Sequence, residues 1–169
     1  MDVIYLLGSD EIEMDRLGDA FVIYQGHHGD AGAHRADAIL PGAAYTEKNA
    51  TYVNLEGRCQ RALRAVFPPG EAKEDWAIIR ALSERVGKKL SYDNLSQVRQ
   101  RMLEVNSIFS EINKISETDW GEFGKRGVIK EGEFIQPIEN FYMTDVISRA
   151  SATMAECTEV ALAKKDKAA

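Results

Sequence analysis

The sequence predicts an α/β fold, with a small parallel sheet of βαβ type followed by a mostly helical carboxyl-terminal region. Three observations carry this expectation. Two continuous apolar runs, VIYLL at 3–7 and FVIY at 21–24, lie within about 25 residues of each other with one short polar segment between them. A third short run, AIL at 38–40, follows after a connector long enough for one or two helical turns. Beyond residue 70 the apolar positions recur instead at helical spacing.

Taken in order, residues 3–7 are continuously apolar rather than alternating, which predicts a strand buried on both faces. Gly8, Ser9 and Asp10 end it at the carboxyl edge, where open α/β sheets bind ligands. Gly8-Ser9-Asp10-Glu11 is not GxGxxG, and its two acids would repel a pyrophosphate, so a nicotinamide site is not expected there. Residues 11–20 carry Ile12, Met14 and Leu17 as apolar contacts and predict a helix of about two turns. The second strand, 21–24, ends at Gln25-Gly26; residues 31–37 predict one or two helical turns, and the third strand stops at Pro41-Gly42.

From Tyr45 the pattern changes. TYVNLEGR at 51–58 alternates and then turns at Gly57, and residues 61–67 alternate as an extended strand until Pro68-Pro69-Gly70 breaks it. Residues 73–86 are the clearest helix, with Trp76, Ile79, Leu82 and Val86 on one stripe, Glu74 and Asp75 in the first turn, and Gly87 at the carboxyl end. Ser91 or Asp93 is placed to cap the next helix, carrying Leu95, Val98, Met102 and Val105; Ile108, Ile112 and Ile115 form a further short stripe. Residues 120–132 are rich in glycine and charge and predict a loop, and 134–141 are apolar but interrupted by Pro137. A last amphipathic helix is expected over 144–163, ahead of a frayed lysine-rich tail, KKDKAA. By domain, 1–70 form the α/β portion and 71–169 the helical region of one compact unit.

The totals narrow the function. At 169 residues the chain can bury its own core, and a net charge of −6 argues against nucleic-acid binding, which needs surplus Lys and Arg. No apolar run approaches the roughly 20 residues of a membrane helix, and the short apolar stretch near Met1 lacks the basic flank of a signal peptide. The expectation is a soluble, mildly acidic, intracellular protein. Cys59 and Cys157 lie roughly a hundred residues apart, in no zinc or iron–sulfur ligand spacing, and read as free thiols.

The candidate chemistry concentrates in residues 21–58. His27, His28 and His34 cluster there with Asp30 and Asp37, but their spacing matches no zinc signature, and histidines in such a connector commonly bond loop backbone. Glu47 and Glu56 can be paired on paper as acid and base with Lys48 and Arg58 as charge stabilisers, yet nothing in the sequence brings the carboxylates together and no activated nucleophile is adjacent. Structural ion pairs with Lys48 or Arg58 are the plainer reading. Asn54 and Arg58 flank a glycine turn suited to gripping a phosphate or a neighbouring backbone, which is binding rather than catalysis.

Ala36, Asp37, Leu40, Pro41, Glu47, Lys48, Thr51, Asn54, Glu56, Gly57, Arg58 and Gln60 together resemble a segment shared by the molybdopterin oxidoreductase superfamily. YQGHHGDAGAHRADAILPGAAYTEK resembles one branch more closely, the large iron–sulfur subunit of respiratory complex I, the NADH–quinone oxidoreductase. PPGEAKEDWAIIRALSE and IENFYMTDVISRASATMAEC resemble the carboxyl-terminal end of its mitochondrial and alphaproteobacterial forms, so the resemblance covers essentially the whole chain.

The resemblance implies a non-catalytic structural part of the peripheral arm of that enzyme, in respiratory electron transport from NADH to quinone. The iron–sulfur clusters of the family are held by cysteine motifs in an amino-terminal region, none of which stands here, so no cofactor is expected in this chain. Glu47, Lys48, Asn54 and Arg58 are then relics of a pterin-binding loop, with no catalytic or metal-ligating role. The implied partners are other peripheral-arm subunits and the iron–sulfur region of the same subunit, with no nucleic acid and no membrane insertion. The implied place is the matrix side of the mitochondrial inner membrane or the cytoplasmic side of a bacterial one. Two or three short strands cannot be covered on both faces by this chain alone, so it reads as a fragment of the larger subunit or a separately encoded carboxyl-terminal half, with surfaces completed by a partner. The alternatives are a portion of an active molybdopterin-binding oxidoreductase, or a free-standing nucleotide-binding α/β module.

Overall fold

The computed structural model describes residues 1–115, 117, 119–129, 131–134, 137, 138 and 140–166, and the side chains of all of these but 164–166. The chain divides into two compact units, Met1–Thr118 and Asp119–Ala169.

The first unit holds the expected α/β core. Strands β1 (Val3–Leu7), β2 (Phe21–Gly26) and β3 (Ala38–Pro41) pair in parallel in the order β1-β2-β3. The register sets Leu6 against Tyr24 and Tyr24 against Ile39. The segment between β1 and β2 forms only one 3-10 turn, Met14–Leu17, rather than a two-turn helix. Between β2 and β3 lies α1 (Ala31–Arg35), whose first turn is capped by the Asp30 carboxylate accepting from the Ala31 N–H at 2.8 Å.

Both connections lie on one side of the sheet. Met14 and Leu17 of the turn, with Ala33 and Ala36 around α1, pack against Leu6, Val22 and Tyr24, the buried core. Two right-handed crossovers stepping in the same direction along a parallel sheet put both connections over the same face. The strands are therefore not buried on both faces as their continuous hydrophobicity suggested: Val3, Leu7 and Phe21 are about half exposed. Arg35 and Asp37 tie the crossovers to the sheet. The guanidinium donates to the Gly18 and Ala20 carbonyls at 2.7 and 3.1 Å, and the carboxylate accepts from the Val22 N–H at 2.7 Å.

After β3 the chain makes an antiparallel hairpin, β4 (Ala50–Val53) and β5 (Cys59–Ala62). The strand expected over 61–67 thus starts two residues earlier and ends at Ala62; Leu63 and Phe67 beyond it are about four-fifths exposed. Helix α2 (Asp75–Arg85) closes with Gly87 N–H to Glu84 O at 3.2 Å and Lys88 N–H to Ser83 O at 2.9 Å, the paired bonds of a Schellman end. Buried Arg80 joins α2 to the next connection, through Asp93 at 2.7 Å and the Tyr92 carbonyl at 3.0 Å. Helix α3 (Leu95–Val105) is capped by Asn94 rather than Ser91 or Asp93; its Oδ1 accepts from Gln97 N–H at 2.9 Å. The Ile108–Ile115 stripe is not a helix but a 3-10 turn, Ser107–Ser110, and bends.

In the second unit, 119–129 and 131–134 are irregular. Of the apolar stretch 134–141, residues 135, 136 and 139 lie outside the described residues. The last helix is two: α4 (Val146–Arg149), capped by Asp145, and α5 (Ala152–Asp166). Ser151 divides them, because its Oγ accepts from Met154 N–H at 3.4 Å and so starts a new helix, the position serine favours. The tail expected to fray is helical through Asp166, and 167–169 lie outside the described residues.

Gly32 offers a direct check of the packed face. A methyl group there would meet two ring carbons of Tyr24 at 2.7 Å and the Ser9 carbonyl at 3.0 Å. Gly32→Ala is expected to lower stability by about 1–3 kcal/mol, the usual cost of overpacking, measured by denaturant unfolding.

Candidate functional site at the carboxyl edge of the parallel sheet

The carboxyl ends of β1, β2 and β3 all reach one edge, the place where an open α/β sheet offers a ligand site. Here that edge is closed by the chain's own side chains. Gln25, fully buried at the end of β2, accepts a hydrogen bond from the Tyr5 hydroxyl through Oε1 and donates through Nε2 to Asp75 Oδ1 at 2.8 Å. The other oxygen of Asp75 is paired with the ammonium of Lys48. The chain of bonds has a single direction: a carboxylate can only accept, so the Gln25 amide nitrogen faces Asp75 and its oxygen faces Tyr5. Burial, and then the negative charge of Asp75, push the Tyr5 phenol above its ordinary range.

Helix α2 delivers Asp75. Its approach is set by strand-like bonds beyond β3: Lys73 N–H donates to Pro41 O at 3.1 Å, and Ala43 N–H to Lys73 O at 2.8 Å. Asp75 and Glu74 sit at the helix amino terminus, where negative charge complements the dipole. Glu74 accepts from Trp76 Nε1 at 2.6 Å and from Asn49 N–H at 3.2 Å, tying the loop that carries Lys48 to the same helix end. Glu47 lies in this loop with its carboxylate on Ala44 N–H at 2.9 Å. Glu47 and Lys48 are thus both engaged in contacts within the chain.

Asn54, Glu56 and Arg58 lie elsewhere, at the tip of the β4–β5 hairpin. Asn54 Oδ1 accepts from Glu56 N–H at 3.1 Å and Arg58 N–H at 2.9 Å, and Gly57 takes φ +80, a conformation that side chains strain to reach. Arg58 donates to the Asn113 carbonyl at 2.9 Å and lies 3.7 Å from Glu56. The four loop candidates thus fall into two places, Glu47 and Lys48 at the sheet edge and Asn54 and Arg58 at the hairpin tip.

His27 lies within electrostatic reach of Asp75 and Glu47 at this edge. His27 and His28 place their Nδ1 atoms 2.7 Å apart, while Asp30 caps α1 and Asp37 holds Val22. Among the described residues no three His, Cys, Asp or Glu side chains could hold a metal together. Burial, then the neighbouring His28 and Lys48, lower the His27 pKa. Sequence reasoning missed Tyr5, Gln25 and Asp75 as the centre of this edge. A glutamine directly after FVIY was the available signal, since a buried amide must find partners.

A family model described as "Molybdopterin oxidoreductase" matches residues 1–85, half of the chain, and the chain belongs to that family. A second family model, for the carboxyl-terminal part of the G-type subunit of NADH-ubiquinone oxidoreductase, matches residues 114–157. The chain is also similar to curated relatives over nearly its whole length. It is 52% identical over 97% of its length to the mitochondrial NADH-ubiquinone oxidoreductase 78 kDa subunit of Candida albicans, covering 24% of that protein. It is 49% identical over 100% of its length to the G-type subunit of the NADH-quinone oxidoreductase of Rickettsia felis, covering 25%. The NADH-ubiquinone oxidoreductase 75 kDa subunit of Reclinomonas americana is 50% identical over 93% of this chain and is covered to 23%. The chain therefore spans about a quarter of the length of the curated relatives it matches. Among solved structures, acetylene hydratase from Pelobacter acetylenicus is 25% identical over 52% of this chain and 14% of its own, at a TM-score of 0.45.

Two expectations follow for the edge. Gln25→Leu strands Asp75 Oδ1 and the Tyr5 hydroxyl and should cost about 2–3 kcal/mol, and a double-mutant cycle of Gln25→Leu with Lys48→Met should be non-additive by at least about 0.5 kcal/mol in unfolding experiments. Because the folded state holds the His27 proton less tightly than the ordinary 6.5, stability should be full above that value and fall as the pH drops below it. His27→Gln should flatten that fall in pH-dependent unfolding.

Proposed function

We propose that this chain is a non-catalytic structural part of the peripheral arm of a NADH–quinone oxidoreductase, serving electron transfer from NADH to quinone as scaffold. The observation that carries the non-catalytic part is the closed carboxyl edge: Tyr5, Gln25, Asp75 and Lys48 occupy with mutual bonds the place where a sheet of this class offers a ligand site. The assembly part is supported by the names of relatives about half identical across nearly the whole chain. Glu47, Lys48, Asn54 and Arg58 are read as residues of a former pterin loop, now engaged in backbone and ion-pair contacts. Residues 1–70 form the family's α/β portion and 71–169 the helical region of the large subunit. Half-exposed Val3, Leu7 and Phe21, on the sheet face opposite the two crossovers, support surfaces completed by other subunits or by the iron–sulfur region of the same subunit. Iron–sulfur clusters belong, on this reading, to that region. No helix of the described residues is long and apolar enough to cross a membrane, which accords with a peripheral position on the matrix or cytoplasmic side.

The test is isolation of the chain from its own cells under mild detergent. It should travel with a membrane assembly containing flavin and iron–sulfur clusters, and carry no molybdenum of its own. Stoichiometric molybdenum together with the fluorescence of an oxidised pterin would instead establish an active molybdopterin site and overturn the proposal.

A further inference from the structure

Strand β1 ends the sheet on one side, and its outer edge is open. The Asp2 carbonyl accepts from Phe21 N–H at 3.0 Å, and Gly8 N–H donates to the Gln25 carbonyl at 2.7 Å. Residues 2 and 8 thus turn their backbone groups toward β2, and the period of two carries Ile4 and Leu6 the same way. Val3, Tyr5 and Leu7 then aim their N–H and C=O groups outward, where no strand pairs with them among the described residues. Edge strands that face water are normally guarded by a charge, a proline or a bulge, or covered by another segment. The five residues of β1, VIYLL, include no charge and no proline, and their register with β2 runs without a bulge. The far edge is treated differently. There β3 ends in Pro41 and the chain's own Lys73 runs beside it, donating to the Pro41 carbonyl at 3.1 Å and accepting from Ala43 N–H at 2.8 Å. By composition β1 is an interior strand.

The half-exposed sheet face indicates what belongs beside that edge. Both crossovers step from β1 toward β3 and lie on one face. A further strand beside β1 that stepped the same way would add its crossover to the face already covered. One that steps away from β1 runs in the opposite sense along the sheet, and the right-handed rule puts its crossover on the other face. That face carries Val3, Leu7 and Phe21, each about half exposed. One addition therefore meets both needs, since parallel sheets are covered on both faces by their own connections. We propose that β1 is an interior strand of a larger doubly wound sheet, its free edge paired with a parallel strand whose crossover helix covers Val3, Leu7 and Phe21. The source is the rest of the large subunit, because this chain covers only 23–25% of the relatives named above and the remainder has ample length for a strand and a helix. This choice of source rests on the assembly reading above.

Amide hydrogen exchange, measured on the full chain alone and within its detergent-isolated assembly, tests this without a variant. Alone, the Val3, Tyr5 and Leu7 amides should exchange quickly, while Ile4 and Leu6, turned toward β2, are protected. In the assembly the three outward amides should slow by on the order of a hundredfold, with little change at Ile4 and Leu6. Hydroxyl-radical labelling of Leu7 and Phe21 should fall in the same comparison, because the crossover covers them. Equal exchange of the three amides in both states overturns the edge as a pairing site. Slowed amides with undiminished labelling of Phe21 reveal a strand without its crossover and overturn the doubly wound form. Protection that rises with the concentration of the chain alone assigns the edge to a second copy and overturns the source. A chain isolated free of any assembly refutes the assembly reading itself, a failure distinct from the other three.

Discussion

Buried Gln25 is the constraint on which the first unit turns. It ends the central strand, so its amide lies where three parallel strands finish together, and it has no access to water. An amide in that position must spend its hydrogen bonds on the chain itself, and it does so on Tyr5 from β1 and Asp75 from α2. Asp75 in turn needs a cation, which Lys48 supplies from the loop after β3. Four stretches of chain are thereby fixed to one another by one directed chain of bonds. The placement of α2 against the sheet, and with it the route of residues 41–49, follows from satisfying this one buried group.

The same network and the hairpin engage the polar residues of the loop after the third strand. Lys48 is held by Asp75, Glu47 by the Ala44 backbone, and Asn54 and Arg58 by the hairpin they turn. Their charges and amides are used to close the local structure. The sheet edge where this fold class offers a ligand site is here occupied by side chains bonded to one another, and on the same face Val3, Leu7 and Phe21 stay about half exposed.

Much of this was legible in the residues. The three short strands, the helical turn after residue 30 and the helix ending at Gly87 follow from local patterns that no later packing reverses. The errors have definite causes. Continuous hydrophobicity in β1 and β2 reads as two covered faces, but both crossovers fall on one side, which strand composition cannot reveal. Helical spacing across 144–163 conceals the restart at Ser151, because periodicity passes unchanged through a cap. Alternation over 61–67 resembles a strand, yet pairing with β4 ends at Ala62 and nothing beyond it has a ladder to join.

By itself, then, the sequence determined the kind of fold, the positions of its strands and principal helices, and the family to which the loop motif belongs, since these rest on local propensity, hydrophobic period and residue identity. Only the tertiary structure decided which side of the sheet is covered, that Asp75 rather than Glu47 or Glu56 is the partner of Lys48, and that the outer edge of β1 is left without a partner strand among the described residues. Each of those depends on which residues distant in the chain come within about 3 Å of one another, and no spacing along the sequence encodes that distance.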